Sequence, residues 1–144
     1  MQSPDALTDL FRAHGRKITA QRQCIFRTLD GDVTHPSAER VHERVREEMP
    51  NISLRTVYQT LNDLADLGAI TVLDVGTGSS RFDPNVETIH HHLVCRSCGK
   101  VRDVAADIPG LRVSQRATQG FAVDSAEVVF RGQCDTCRGS QQHP

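Results

Sequence analysis

Two pairs of cysteines carry the most specific chemistry in this chain: Cys95-x-x-Cys98, followed by Gly99, and Cys134-x-x-Cys137, followed two residues on by Gly139. Each pair can present two thiolates to one ion from a knuckle-like turn, and zinc accepts four such sulfurs at about 2.3 Å in a tetrahedron. Binding thiolate in place of thiol stabilises a small fold strongly. The spacing therefore predicts a structural Zn2+ site made by Cys95, Cys98, Cys134 and Cys137. The pairs stand farther apart than in compact zinc modules, so a strand-helix-strand excursion must bring them back together. Two unrelated buried or redox-active pairs are the competing reading. Cys24 lies among apolar residues of an expected helix and reads as a small core side chain.

His90-His91-His92 is the second concentration of chemistry. On a strand, His90 and His92 point to one face while His91 and Cys95 point to the other, so the pleat can separate two metal sites. Nitrogen and oxygen donors without thiolate suit Fe2+ or Mn2+ as well as zinc. Asp83, Asp103 and His35 are available to complete a His/Asp site, although spacing alone does not bring His35 there. His14, His42 and His143 have no such neighbours and read as structural or exposed.

The elements that must position these residues follow from periodicity and caps. Leu7, Leu10 and Phe11 mark a helix over 4–14, stopped by Gly15. Thr19 caps a second, with Ile25, Phe26 and Leu29 inward and Asp30-Gly31 at its end. Pro36-Ser37 starts a third, with Ala38, Val41, Val45 and Met49 on one face, ended by Pro50. Ser53 caps a fourth, with Val57, Leu61, Leu64 and Leu67 on one face and Gly68 as its stop. The short turn before it predicts a helix-turn-helix. Ala69–Val75 and Ser80–Phe82, joined by Gly76-Thr77-Gly78-Ser79, read as a hairpin, which in that position is a wing.

Beyond Asp83-Pro84-Asn85 the pattern turns strand-rich. Strands are expected at His90–Cys95, Lys100–Val104, Phe121–Val123 and Ala126–Arg131, with a helix between Ile108 and Gln119. The expected class is α+β: an N-terminal winged helix-turn-helix domain over 1–83, a small α/β domain for metal binding and dimerisation over 84–138, and a flexible tail over 139–144.

With 144 residues and 38% hydrophobic content the chain can bury a core, which argues against disorder. The opening MQSPDALTDL lacks a signal pattern and no apolar run approaches a membrane span, so the expected location is the cytoplasm, without membrane association. Doubled C-x-x-C in that reducing compartment favours metal ligands over disulfides. The net charge of −1 advertises no nucleic-acid partner. Locally, however, Leu10–Thr28 carries Arg12, Arg16, Lys17, Arg22 and Arg27 without an acidic residue, which acquires meaning beside a helix-turn-helix.

Taken together, Ile18-Thr19-Ala20-Gln21-Arg22, His35-Pro36-Ser37-Ala38, Ile52 to Leu61 (ISLRTVYQTL), Ser80-Arg81-Phe82-Asp83, His90 to Lys100 (HHHLVCRSCGK) and Cys134-Asp135-Thr136-Cys137 make the sequence resemble the ferric uptake regulator family over nearly its whole length. The resemblance implies a cytoplasmic bacterial repressor with a winged helix for DNA and a dimerising α/β domain. Within the family it looks most like the peroxide-sensing branch. That branch's regulatory ligands for Fe2+ or Mn2+ fall on His35, Asp83, His90, His92 and Asp103, and its structural zinc ligands on the four cysteines. Asp103 is informative, because iron-sensing members tend to carry Glu there. Two departures stand out: Val123–Glu127 lacks a histidine that many relatives carry, and Gln59 stands where Arg or Asn is frequent.

By this reading the fourth helix enters the major groove, with Tyr58 and Gln59 reading base edges, Arg55 and Thr56 beside them, and Arg12, Lys17 and Arg22 on phosphates. The implied partners are a palindromic operator and a second copy of the chain, with no small organic ligand. The implied trigger is Fe2+-dependent oxidation of His35 or His90 by hydrogen peroxide. An iron- or manganese-sensing repressor without peroxide response is the alternative. A hydrolytic metal enzyme would leave the helix-turn-helix without a role, so no enzyme is expected. A metal buffer would show the same operator affinity with and without metal.

Overall fold

The computed structural model describes residues 1–139, and of the tail expected over 139–144 all but Gly139 lies outside them. Two compact units divide the chain, one over 1–88 and one beginning at Ile89.

The first unit begins with α1 (Pro4–Ala13), α2 (Ala20–Leu29), α3 (Ala38–Val45) and α4 (Leu54–Asp66). Each starts where a hydroxyl side chain accepts from the backbone N–H three residues on: Ser3, Thr19, Ser37 and Ser53. Such caps satisfy amides that the first turn leaves without helical partners. The helices bury one continuous core, in which Leu7, Phe11, Ile25, Phe26, Leu29, Val41, Val45, Val57, Leu61 and Leu64 are fully enclosed. At its end α4 reverses through Gly68, whose φ of +69° suits a residue without Cβ.

The wing follows as β1 (Thr71–Leu73) paired antiparallel with β2 (Arg81–Asp83), with Val72 opposite Phe82. It is shorter than the expected Ala69–Val75 strand. Ala69 and Ile70 sink into the helical core instead, and Pro84, which has no N–H, ends the ladder on the other strand. The third helix also stops short. It ends at Val45, and Arg46 to Glu48 form turns that fold Met49 against the core.

A buried carboxylate ties α2 and the loop before it to α4. Asp63 is 6% exposed and receives two guanidinium groups, Arg16 and, at 2.7 Å, Arg22. Arg22 also donates to the Lys17 carbonyl at 2.9 Å and lies 5.3 Å over the Phe11 ring.

In the second unit β3 (His91–Cys95) is the central strand, antiparallel to β4 (Val101–Val104) and parallel to β5 (Val129–Gly132). The helix expected within 108–119 contracts to the single turn α5 (Gln115–Thr118), because Pro109-Gly110 interrupts it and Ser114 supplies a new cap. No strand forms at Phe121–Val123; Phe121 is 80% exposed and has nothing to pack on within this unit. A short helix not expected from the sequence, α6 (Asp135–Gly139), starts directly after Cys134, carries Cys137 and takes in Gly139, the first residue of the expected tail.

Among the described residues no helix is long and apolar enough to cross a membrane.

Replacing Asp63 with Ala leaves two arginines facing a buried gap, so denaturant unfolding should show a loss of about 3 kcal/mol, whereas Asp66→Ala should cost well under 1 kcal/mol. Equal losses would remove Asp63 from its structural role.

Candidate metal centres and the exposed face of the fourth helix

Parallel pairing of β5 with β3 solves the problem posed by the distance between the cysteine pairs. Cys95 lies opposite Gly132, so the chain leaving β5 delivers Cys134 to the turn that carries Cys98. One ligand atom from each of Cys95, Cys98, Cys134 and Cys137 lies within 4.8 Å of the others, and the Cys98 and Cys134 sulfurs are 3.7 Å apart. A zinc tetrahedron with bonds of about 2.3 Å has edges of about 3.8 Å, so the cage has the dimensions of that ion. Gly99, at φ +71°, closes the first knuckle by donating to the Cys95 carbonyl at 2.9 Å.

The four thiols are not equivalent. Cys95 accepts the Cys134 amide at 3.3 Å, and this N–H, with that of Cys98 next in effect, pulls its pKa from 9.0 down to about 6. Cys137 is pushed up to about 12, first by its contact with the Cys134 thiol and then by Cys98. Cys95 is therefore the thiol of the four that its surroundings hold most strongly toward thiolate.

The His/Asp set appears as two clusters, one in each unit. In the first unit His35 and Asp83 are both buried, with His35 Nε2 3.6 Å from Asp83 Oδ1. The wing strand holds them together: the Phe82 amide donates to the Pro36 carbonyl at 3.0 Å, and Arg81 donates to the His35 carbonyl at 3.3 Å. His35 adopts φ +51°, a left-handed conformation costly for most side chains, though histidine tolerates it better than most.

In the second unit the β3–β4 register sets His92 opposite Asp103. Asp103 Oδ1 stands 3.6 Å from His90 Nε2 and 3.7 Å from His92 Nε2, and the two rings meet edge to face at 4.9 Å. Two imidazole nitrogens converging on a carboxylate at this spacing fit a divalent ion, whose ligand atoms in a tetrahedral shell with bonds of about 2.1 Å lie about 3.4 Å apart.

His91 belongs to neither cluster, since its Nδ1 accepts the Val128 amide at 3.2 Å. The sequence reading missed Glu127, whose carboxylate lies 2.7 Å from His92 Nδ1. An acid beside an apolar strand carries no motif that could have singled it out.

On α4, Val57, Thr60, Leu61 and Leu64 face the core while Arg55, Tyr58 and Gln59 are exposed. Thr56 is drawn into the cap, its hydroxyl 2.9 Å from that of Ser53. Tyr58 donates to the Glu39 carboxylate at 2.7 Å, which lowers the Glu39 pKa and raises that of the phenol. Arg12 and Lys17 are exposed, Arg12 beside Asp9 at 3.4 Å. Arg16 and Arg22 are the exceptions within the basic run, because both guanidinium groups are turned to Asp63.

Residues 13–131 match the model of the ferric uptake regulator family. The chain is 36% identical over 130 residues to the peroxide-responsive repressor PerR of Staphylococcus aureus (strain USA300), covering 88% of this chain and 86% of that protein. Among solved structures it resembles the ferric uptake regulator of Vibrio cholerae, with a TM-score of 0.70, 29% identity, and coverage of 92% of this chain and 100% of the other. It also resembles PerR of Streptococcus pyogenes, with a TM-score of 0.54, 26% identity, and coverage of 95% and 94%.

In the reduced, metal-free chain, thiolate ultraviolet absorbance should rise in a first step near pH 6, and Cys95→Ser should abolish that step. Because this folded pKa lies below the ordinary value, the stability the thiolate contributes is complete above about pH 9 and is lost as pH falls through about 6. A first step near pH 9 in the wild type would contradict the assignment.

Proposed function

The chain belongs to the ferric uptake regulator family, and on that premise we propose that it is a metal-dependent transcriptional repressor that senses hydrogen peroxide. Proteins of this family are DNA-binding regulators rather than enzymes. The observation that carries the reading is the pair of His/Asp clusters, each with imidazole nitrogen within 3.7 Å of a carboxylate and with no thiolate in either set. His35 and Asp83 from the first unit, with His90, His92 and Asp103 from the second, would together hold one Fe2+ or Mn2+. Cys95, Cys98, Cys134 and Cys137 would hold a structural Zn2+.

The chain's own residues then divide the work. His35 and Asp83, fixed to the wing, make the posture of the winged helix depend on ligands that lie in the other unit. A ligand set divided in this way biases the protein toward one arrangement by the difference in its affinity for the two. Arg55, Tyr58 and Gln59 present hydrogen-bonding groups to the major groove, and Arg12 and Lys17 supply charge for phosphates. Two copies of the chain would place two such helices on the halves of a palindromic operator.

Bound Fe2+ would supply the reduction of hydrogen peroxide, with the net result that one oxygen enters a ligand imidazole and water leaves. His35 and His90 are the candidate targets. An oxygenated imidazole no longer offers the same lone pair, so the ligand set fails and the operator is released. The 36% identity to a peroxide-responsive repressor and the Asp at position 103 favour this reading over an iron or manganese sensor without peroxide response.

Protein loaded anaerobically with Fe2+ and exposed to a slight excess of hydrogen peroxide should gain one oxygen on the peptide carrying His35 or His90, in step with loss of operator binding. Unmodified histidines on protein shown to hold Fe2+ would favour reversible metal sensing instead.

A further inference from the structure

The residues from Glu127 to Val129 treat the two buried histidines of β3 in opposite ways. The Val128 amide can only donate, so His91 Nδ1 must accept it, and the proton of a neutral His91 ring sits on Nε2. One residue earlier in the chain, an ionised Glu127 can only accept, so at 2.7 Å it takes the N–H of His92 Nδ1. A neutral His92 ring then carries its lone pair on Nε2, the atom 3.7 Å from Asp103 Oδ1.

We propose that Glu127 is a positioning residue for the regulatory metal: by accepting the Nδ1–H of His92 it holds that ring in the one tautomer able to ligate through Nε2. The inference rests on the proposed role of His92 as a ligand.

Three features support it. His92 is fixed along the strand by its backbone, whose amide donates to the Val128 carbonyl at 3.1 Å, and by its register opposite Val129. Glu127 thus lies alongside the ring because β5 pairs with β3. The side chain of His92 is 3% exposed, so water does not compete for Nδ1, whereas that of Glu127 is 44% exposed and can be removed without opening the core. Finally, the carboxylate engages the nitrogen on the side of the ring away from Nε2. It therefore orients the ligand without occupying a place in the coordination shell.

A carboxylate behind a ligating imidazole both fixes its orientation and strengthens its donation, and removing such a partner ordinarily weakens metal binding by about 10–100-fold. Gln keeps an oxygen that can accept the same N–H but lacks the charge, so Glu127→Gln should fall between the wild type and Glu127→Ala. The segment contributes something the histidine triplet cannot encode by itself: that His92, and not its neighbour His91, is prepared to bind a cation through Nε2.

The test uses the full-length, zinc-containing protein and Mn2+ as the probe, read by the electron paramagnetic resonance signal of the free ion. Wild-type protein should take up Mn2+, and Glu127→Ala should bind it about 10–100-fold more weakly. Zinc content should be the same in both, and both should unfold cooperatively in the absence of Mn2+. Nitrogen-15 resonances of the imidazoles, recorded without Mn2+, should show His92 protonated at Nδ1 in the wild type and as a mixture of tautomers in Glu127→Ala. Equal Mn2+ affinity in the two proteins, or an unchanged His92 tautomer, would overturn the proposal. Failure of the wild type to take up Mn2+ would count against the functional reading itself, and the nitrogen-15 measurement would still decide whether Glu127 controls the ring.

Discussion

Strand β3 is the element on which both candidate metal centres depend. Its five residues pair with β4 on one side and β5 on the other, and the pleat sends His92 and Cys95 to opposite faces. The antiparallel partner fixes Asp103 opposite His92. The parallel partner brings Glu127 to the ring of His92 and Cys134 to the sulfur of Cys95. One register therefore sets two kinds of chemistry. A slip of a single residue would turn His92 to the cysteine face and dismantle both sets of contacts.

The first unit is organised to a different end. Asp63 draws Arg16 and Arg22 against the unit's apolar core, and α4 rests on that core while leaving Arg55, Tyr58 and Gln59 in solvent. The wing holds the segment carrying His35 through the Phe82 amide, which donates to the Pro36 carbonyl, and the Arg81 guanidinium, which donates to the His35 carbonyl. The positive φ at His35 is tolerated because the flanking chain is held from both sides.

Much of this was legible in the residues. Hydroxyl caps at Thr19, Ser37 and Ser53 begin their helices where local chemistry requires, and Gly68 ends α4 as a residue free to adopt positive φ. The alternation that separates His92 from His91 follows from the period of a strand. What could not be read depends on neighbours distant in sequence. Arg22 looks like its basic companions until Asp63, 41 residues away, claims it. Glu127 has meaning only through β5 pairing, and Phe121 could not declare itself exposed. The long helix expected before it failed because Pro109-Gly110 outweighs a weak apolar pattern.

The central claim is that one regulatory ion takes ligands from both units. It is tested most directly by comparing Mn2+ binding to the zinc-containing wild type and to a variant with His35 and Asp83 both changed to Ala, with operator binding followed on the same samples. The account predicts loss of Mn2+ affinity by at least about 100-fold, by analogy with the effect of removing even an outer partner, together with loss of metal-dependent operator binding. Unchanged affinity would show that His90, His92 and Asp103 hold the ion without the first unit, and would contradict the claim.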